Sequence, residues 1–485
     1  MELDKDLKSI QSVRNKIAIA KAAQETILQY SQQQIDNLCK AICEVGLANA
    51  ESLGKMAQEE TGFGVAEHKT IKNQFAALNV YNYIKDMKTI GILNEDKKNK
   101  IVEIGVPVGV IAGLIPSTNP TSTVIYKAMV AIKSGNSIVF SPHPSALNCI
   151  LKTVEIIKTA LKKENAPEGL VECIEIVTME ATNELMKHKD ISLILATGGS
   201  SMVKAAYSSG TPAIGVGPGN GPAFIEKSAD IQLAVKRILD SKTFDNGTIC
   251  ASEQSIIVEE CSERPVVEEL KRKKAYFLNE AEKEKVGKIL MRPNGLMNPA
   301  IVGKSACYIG KLANINIPND TSVLIAYETN VGAKYPYSHE KLCPVLAFYV
   351  ENSWEDACKR SMEILYYEGA GHTMMLHSTN KEIIKEFALK KPVNRLLVNT
   401  AGALGGIGAT TSLPPALTLG CGAIGGGSTS DNITPLHLIN IKRMAEGTME
   451  LDEIKNNSTP TNSLEYEYIN NLIKKAIKDI LTSKL

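Results

Sequence analysis

The chain has 485 residues, which at roughly 100–200 residues per domain gives two or three domains with sizeable cores. Lys plus Arg (54) nearly balances Asp plus Glu (53), a formal net charge of +1, so nothing in the charge points to nucleic acid as a partner. Hydrophobic residues are 44% of the chain, ordinary for a globular protein, and no apolar run reaches the about eighteen residues a membrane span needs.

The N-terminus, MELDKDLKSIQSVRNK, has no apolar core segment, so no signal peptide is expected. The cysteines are Cys39, Cys43, Cys149, Cys173, Cys250, Cys261, Cys307, Cys343, Cys358 and Cys421. They are spread out and form no CxxC pair, which argues against a disulfide framework or a zinc site and for a reducing, cytoplasmic setting. From about residue 7 to 88 apolar residues recur at helical spacing, as in Ile35, Leu38, Ile42 and Val45; Cys39 and Cys43 read as small core residues on the same helix. From Ile101 the chain turns β-branched, punctuated by glycine and proline: IVEIGVPVGVIAGLIPSTNP. Helices are expected at Thr121 to Lys133, Ala146 to Lys163 and Ala181 to Lys187, and strands at Ser137 to Phe140, in VECIEIV and at Ser192 to Ala196. Short apolar strands alternating with helices imply a parallel, doubly wound sheet with a nucleotide at its carboxyl edge. A second α/β region starts near Lys227 and runs through Phe348 and the strand Arg395 to Val398. A glycine-rich segment, Gly402 to Gly427, then NITPLHLINIKRMAE, follow. NNSTPTNS, residues 456 to 463, reads as a flexible linker before a last helix. There is no internal repeat.

LILATGGSSMVKAAY is a strand, a turn and a helix. Its Thr197, Gly198, Gly199 and Ser200 could bring backbone N–H groups to a phosphate; a turn of this kind also serves simply to pack helix on strand. No G-x-x-x-x-G-K-[ST] segment occurs, which argues against an NTPase P-loop. GVGPGNGP, residues 215 to 222, is a second glycine cluster that reads by itself as a tight loop. FDNGTICASEQ puts Cys250 between a polar turn and a strand, a setting for a reactive thiol rather than a packed one.

Six segments in order carry a resemblance: GVPVGVIAGLIPSTNPTSTVIYKAMVAIKSGNSIVFSPHP, ILATGGSSMVKAAYSSGTPAIGVGPGN, FDNGTICASEQS, EKLCPVLA, EGAGHTMMLHS and LTLGCGAIGGGSTSDNITPLHLINIKRM. Over about residues 7 to 446 the chain resembles the CoA-acylating members of the aldehyde dehydrogenase superfamily. The similarity is to the aldehyde half of bifunctional aldehyde–alcohol dehydrogenases and to microcompartment-associated acylating enzymes. The implied fold is α/β: a Rossmann-type cofactor domain, an α/β catalytic domain and an oligomerisation arm. The implied divisions are 1–227 for N-terminal helices and cofactor domain and 228–419 for the catalytic domain. The return and arm take 420–447, the linker 448–463 and the tail helix 464–485.

The resemblance makes Cys250 the nucleophile. Its thiolate captures an aldehyde as a thiohemiacetal, hydride leaves for a nicotinamide, and a thioester remains. Asn119, in PSTNP, becomes the donor to the alkoxide; without the match, Asn119-Pro120 is a turn starting a helix. Glu340 falls where the superfamily binds the nicotinamide ribose. Ser141, Pro142 and His143 stand where hydrolytic relatives carry a lysine for the adenosine ribose, and Gly217 lies in the second glycine cluster of the cofactor site. NAD is favoured, with NADP left open. Hydrolytic relatives also carry a water-activating glutamate; here that region reads Gly215-Val216-Gly217-Pro218-Gly219, with no carboxylate, so coenzyme A is the implied acceptor and the reaction is reversible. His372, in GAGHT, is implied near the site, as a base for CoA or a substrate-orienting group; a structural histidine is the alternative. Cys343 and Cys421 read as packing residues.

In the tail, Ile469, Leu472, Ile473, Ala476, Ile477, Ile480 and Leu481 form an apolar stripe opposite Lys474, Lys475, Lys478 and Asp479. It resembles the peptides that recruit enzymes into bacterial microcompartments, docking on shell or cargo. Folding back on its own oligomer is the alternative, and a membrane role is not expected without Trp or Phe anchors. The expected substrate is a short aldehyde, acetaldehyde or propionaldehyde, handled by a homodimer or homotetramer. Succinate semialdehyde is the rival substrate. A CoA-dependent acyltransferase without redox chemistry, a hydrolytic dehydrogenase and a catalytically idle scaffold are the rival activities.

Overall fold

The computed structural model describes residues 4–457 and 462–482. The chain divides into a larger unit, reaching to Ile90 and resuming over Val106–Asn440, and a smaller one made of Gly91–Gly105 and the chain from Ile441 onward.

In the smaller unit, β1 (Gly91–Asp96) and β2 (Ile101–Pro107) pair antiparallel. The larger unit holds two parallel sheets. The first takes β3 (Val110–Ile115), β4 (Ile138–Pro142), β5 (Val171–Cys173), β6 (Ile191–Ala196) and β7 (Ala213–Gly215) in the order β5-β4-β3-β6-β7. Every residue of β3 is buried, as a strand covered by helices on both faces must be. The second sheet takes β8 (Gly221–Ile225), β9 (Glu253–Glu259), β10 (Ala275–Phe277), β11 (Val323–Tyr327), β12 (Val345–Glu351), β13 (Gly371–His377) and β14 (Val393–Val398), in the order β10-β11-β12-β9-β8-β13-β14. Finally β15 (Ile439–Ala445) lies beside β2, giving β1-β2-β15.

The N-terminal helical reading holds: Ile35, Leu38, Cys39, Ile42 and Cys43 are all buried on the helix Gln32–Ala48. VECIEIV is a strand only to Cys173. β5 has β4 as its one neighbour, and β4 ends at Pro142, which has no N–H to extend the ladder. Thr178 then caps the next helix, accepting from the Ala181 N–H at 3.0 Å.

The segment read as linker, 448–463, contains the helix Leu451–Asn457. Its first turn carries Asp452 and Glu453 and its last turn Lys455, charges that suit the helix dipole. The remainder of NNSTPTNS falls partly outside the described residues. The tail is helical over Asn462–Thr482, with Tyr468, Ile469, Leu472, Ile473 and Ile477 exposed.

Candidate active site

The two parallel sheets place the expected residues on two edges. Asn119 follows β3, Ser141–His143 end β4, Thr197–Ser200 follow β6 and Gly217 follows β7, all at the carboxyl edge of the first sheet. Gly219 precedes β8, Cys250 precedes β9, Glu340 precedes β12 and His372 opens β13, all at the amino edge of the second. Contacts join these edges: the Asn119 amide lies 3.4 Å from the Thr248 carbonyl, and the Gly217 N–H donates to Cys421 Sγ at 3.3 Å.

The turn before Cys250 explains its sequence. Asp245 (φ 50°), Asn246 (φ 52°) and Gly247 (φ 76°) are all left-handed, a conformation tolerated by Asp and Asn and free to Gly. A side chain at 247 would also press on the Cys343 carbonyl, 3.1 Å from an ideal Cβ. Asn246 Nδ2 donates to Gly303 O at 2.9 Å, and the Thr248 hydroxyl donates to Asp245 Oδ2 at 2.7 Å, so the turn is tied on both sides. Cys250 itself is half-buried. Burial, then the neighbouring Glu340 and Cys421, push its thiol up to about 12, with the Arg395 guanidinium pulling the other way.

Gly219 is a glycine because of close approach: an ideal Cβ there would stand 1.8 Å from the Cys250 carbonyl oxygen. Its N–H donates to Glu340 Oε1 at 2.9 Å, so the carboxyl is one residue removed from the Cys250 backbone. Burial and the Glu368 carboxylate push Glu340 up to about 8. His372 is fully buried. Its Nδ1 lies 2.9 Å from Thr373 Oγ1, and its Nε2 has no hydrogen-bond partner among the described residues. Burial and Arg395 lower it to about 3, so the ring is neutral at working pH.

The residues expected at the nucleotide are less uniform. Gly199 and Ser200 are exposed and Gly198 half-buried; an ideal Cβ at Gly199 meets nothing within 4 Å, and one at Gly198 meets only Met202 at 3.8 Å. This leaves open space before the first turn of the helix Ser200–Tyr207. Thr197 Oγ1 is 3.3 Å from Thr418 Oγ1. Ser141 is buried with its hydroxyl 3.0 Å from that of Thr182, and Pro142 is buried, so neither offers its side chain freely. His143 is exposed and accepts from the Ser145 N–H at 3.2 Å. Cys343 and Cys421 are buried, as read, and Cys421 also borders Cys250 electrostatically.

Three cations escape the sequence reading. Lys69 and Lys72 are buried on the helix Ala66–Gln74 and converge on Asp245. Arg395, on β14, is buried and donates to Thr373 Oγ1, Gly420 O, Ser430 O and Asn432 Oδ1. Within EHKTIKNQ and RLLV nothing distinguishes these residues from a solvated face.

Comparison with known proteins places this geometry. Residues 7–309 match the Aldehyde dehydrogenase family. The chain is 43% identical over 431 residues to the bifunctional aldehyde-alcohol dehydrogenase AdhE of Escherichia coli K12, covering 88% of this chain and 48% of that protein. It thus spans about half the length of the aldehyde-alcohol dehydrogenases it matches. It is 39% identical over 433 residues to a succinate-semialdehyde dehydrogenase (acetylating) of Clostridium kluyveri, covering 89% of this chain and 95% of the relative. Among solved structures, a probable aldehyde dehydrogenase from Listeria monocytogenes EGD-e superposes with a TM-score of 0.92 at 64% identity, over 93% of this chain and 100% of that one. An acetylating aldehyde dehydrogenase from Geobacillus thermoglucosidasius gives 0.91 at 52%, over 93% and 99%. The chain belongs to the aldehyde dehydrogenase family.

Proposed function

We propose that this chain is a CoA-acylating aldehyde dehydrogenase that reversibly oxidises a short aldehyde, acetaldehyde or propionaldehyde, and hands the acyl group from Cys250 to coenzyme A. One observation carries the reading. The loop against the Cys250 carbonyl is Gly215–Gly219, which holds no carboxylate, and Glu340, the carboxyl bonded to that loop, is kept protonated near neutral pH by burial. A thioester on Cys250 therefore has no carboxylate at hand to activate water. The relatives named as acetylating agree with this.

In this reading the Cys250 thiol gives up its proton to solvent, its Sγ attacks the carbonyl carbon, and the oxygen, taking the π pair, is met by the Asn119 amide and the Cys250 N–H. The open turn Thr197–Ser200 would hold the dinucleotide phosphates, with Gly217 and the Ser141–His143 segment bordering them and Glu340 offered to the ribose hydroxyls. When bound, the nicotinamide supplies the acceptor for the two-electron oxidation; NAD is favoured over NADP. His372, neutral and with Nε2 free, orients the substrate or the incoming thiol; burial and Arg395 hold it at about 3, too weak a base to keep that thiol's proton, which passes to solvent as CoA enters as its thiolate. Succinate semialdehyde would need a free cation for its distal carboxylate. Arg395, the guanidinium coupled to Cys250, is already committed to four acceptors.

The enzyme works as a homodimer or homotetramer through its β1-β2-β15 sheet, in the cytoplasm, and its tail helix docks on a microcompartment shell or cargo protein through the exposed Ile469, Leu472, Ile473 and Ile477 stripe. Removing residues 456–485 should abolish that association and leave turnover intact; association that survives the deletion refutes the docking role. The central test is a panel of aldehydes with NAD or NADP, with and without CoA, followed at the reduced-nicotinamide absorbance band. Sustained turnover should require CoA. Sustained turnover without CoA would make the enzyme hydrolytic, and no reduced nicotinamide with CoA present would favour an acyltransferase.

A further inference from the structure

Lys72 is buried and has three ammonium hydrogens, each with a partner. It donates to Asn119 Oδ1 at 2.5 Å, to Thr248 Oγ1 at 2.9 Å and to Asp245 Oδ2. Asp245 in turn is fully used. Its Oδ1 accepts from the Val65 N–H at 2.7 Å, and its Oδ2 from Lys69 at 3.1 Å, from Lys72 and from Thr248. Lys69 also holds the Thr118 carbonyl at 2.9 Å, pinning the loop that carries Asn119. Two buried lysines thus share one buried anion; burial lowers Lys72 to about 8 against the pull of Asp245, so below that pH an excess positive charge stands at the turn before the nucleophile.

An ammonium has donors and no acceptor. The end of the Asn119 amide that faces Lys72 must therefore be its oxygen, and the NH2 must face the other way. That direction is the Thr248–Cys250 turn, where Nδ2 makes only a long contact of 3.4 Å to Thr248 O and one of 3.2 Å to Thr118 Oγ1. A donor so loosely engaged is available to a stronger acceptor. A charge-assisted bond to Oδ1 also draws electron density from the amide and makes its N–H groups better donors.

We propose that Lys72, anchored by Asp245, is a positioning residue that fixes which end of the Asn119 amide faces Cys250 and polarises it toward the oxyanion. This rests on the assignment of Asn119 as the oxyanion donor. The bland account is that Lys72 merely balances the charge of Asp245. The two differ in whether Lys72 still matters once Asn119 is gone.

The test is a double-mutant cycle on the full chain with Lys72→Met, Asn119→Ala and the pair, read as the rate of reduced-nicotinamide formation in the first turnover at saturating aldehyde and dinucleotide. Asn119→Ala should slow this step about 100-fold, the scale for losing one oxyanion donor. Lys72→Met should slow it roughly 30-fold with KM values within about 3-fold, and should slow Asn119→Ala by no more than about 3-fold further. If Lys72→Met costs the same factor in both backgrounds, Lys72 is structural and the proposal falls. It also falls if Lys72→Met has no effect while Asn119→Ala does. If Asn119→Ala itself leaves the rate unchanged, the failure lies in the assignment of Asn119. Should Lys72→Met not fold, Lys72→Gln keeps a neutral donor, and the same cycle with it decides the matter, with an expected loss of roughly 5- to 10-fold in the wild-type background only.

Discussion

Replacing Gly219 by alanine tests the close approach at the heart of the site. An ideal Cβ at 219 would lie 1.8 Å from the Cys250 carbonyl oxygen and 2.7 Å from its carbon. A carbon and a carbonyl oxygen normally stay about 3.3 Å apart, so one backbone must move by about 1.5 Å. Neither is the end of a flexible side chain. The Gly219 N–H is bonded to Glu340, and Cys250 is followed after two residues by β9. Catalytic geometry loses about 100-fold in rate for a misplacement of about 1 Å, so Gly219→Ala should lower the first-turnover rate at least about 100-fold. Reduced-nicotinamide formation in a stopped-flow instrument measures this, with iodoacetamide alkylation of Cys250 reporting on the thiol and thermal melting on the fold. A variant that melts within a few degrees of the parent and keeps a rate within about 3-fold of it would mean that the two backbones are not held as described.

Two further outcomes follow from the buried titratable groups. Glu340 is neutral below about 8 and anionic above it, so only above that pH does its charge oppose the Cys250 thiolate. Alkylation of Glu340→Gln by iodoacetamide should match the parent at pH 7 and exceed it increasingly above pH 8.5, toward roughly tenfold; a constant ratio would separate the two groups. His377 is buried with neither ring nitrogen hydrogen-bonded among the described residues, and burial with Arg237 lowers it to about 4. A folded value below the unfolded one means stability is complete above about pH 6.5 and is lost as pH falls, so His377→Leu should gain on the parent by about 1 kcal/mol between pH 6.5 and 5.5 in urea unfolding. A pH-independent difference would contradict a neutral buried ring.

What the sequence reveals and what it hides divide along a physical line. The strands were legible because a strand covered on both faces must be apolar throughout, as VIAGLI is, and a βα alternation leaves only parallel pairing. The turn before Cys250 was legible because three successive left-handed residues demand Asp-Asn-Gly or something close to it. VECIEIV has strand composition beyond Cys173, but its extent was set by a neighbour that runs out at Pro142, which no local pattern records. The helix Leu451–Asn457 was lost in a segment whose Asn, Ser and Thr content reads as linker.

The site shows the same limit in sharper form. Cys250 and Asn119 stand in motifs, yet what aims them comes from elsewhere in the chain. The oxygen of Asn119 meets a lysine 47 residues earlier, and that lysine is held by an aspartate 173 residues after it. Lysine on a helix is nearly always a solvated cation, and EHKTIKNQ gives no reason to read it otherwise. Burial of two lysines is tolerable only because Asp245 and the Thr118 carbonyl meet them, and Asp245 is held below its usual carboxylate range only because the lysines outweigh its own burial. Each member is improbable alone and stable together, so the cluster has a signature in space and none along the chain. That is why Cys250 can be singled out from a motif while the lysines bonded around Asn119 and Asp245 cannot.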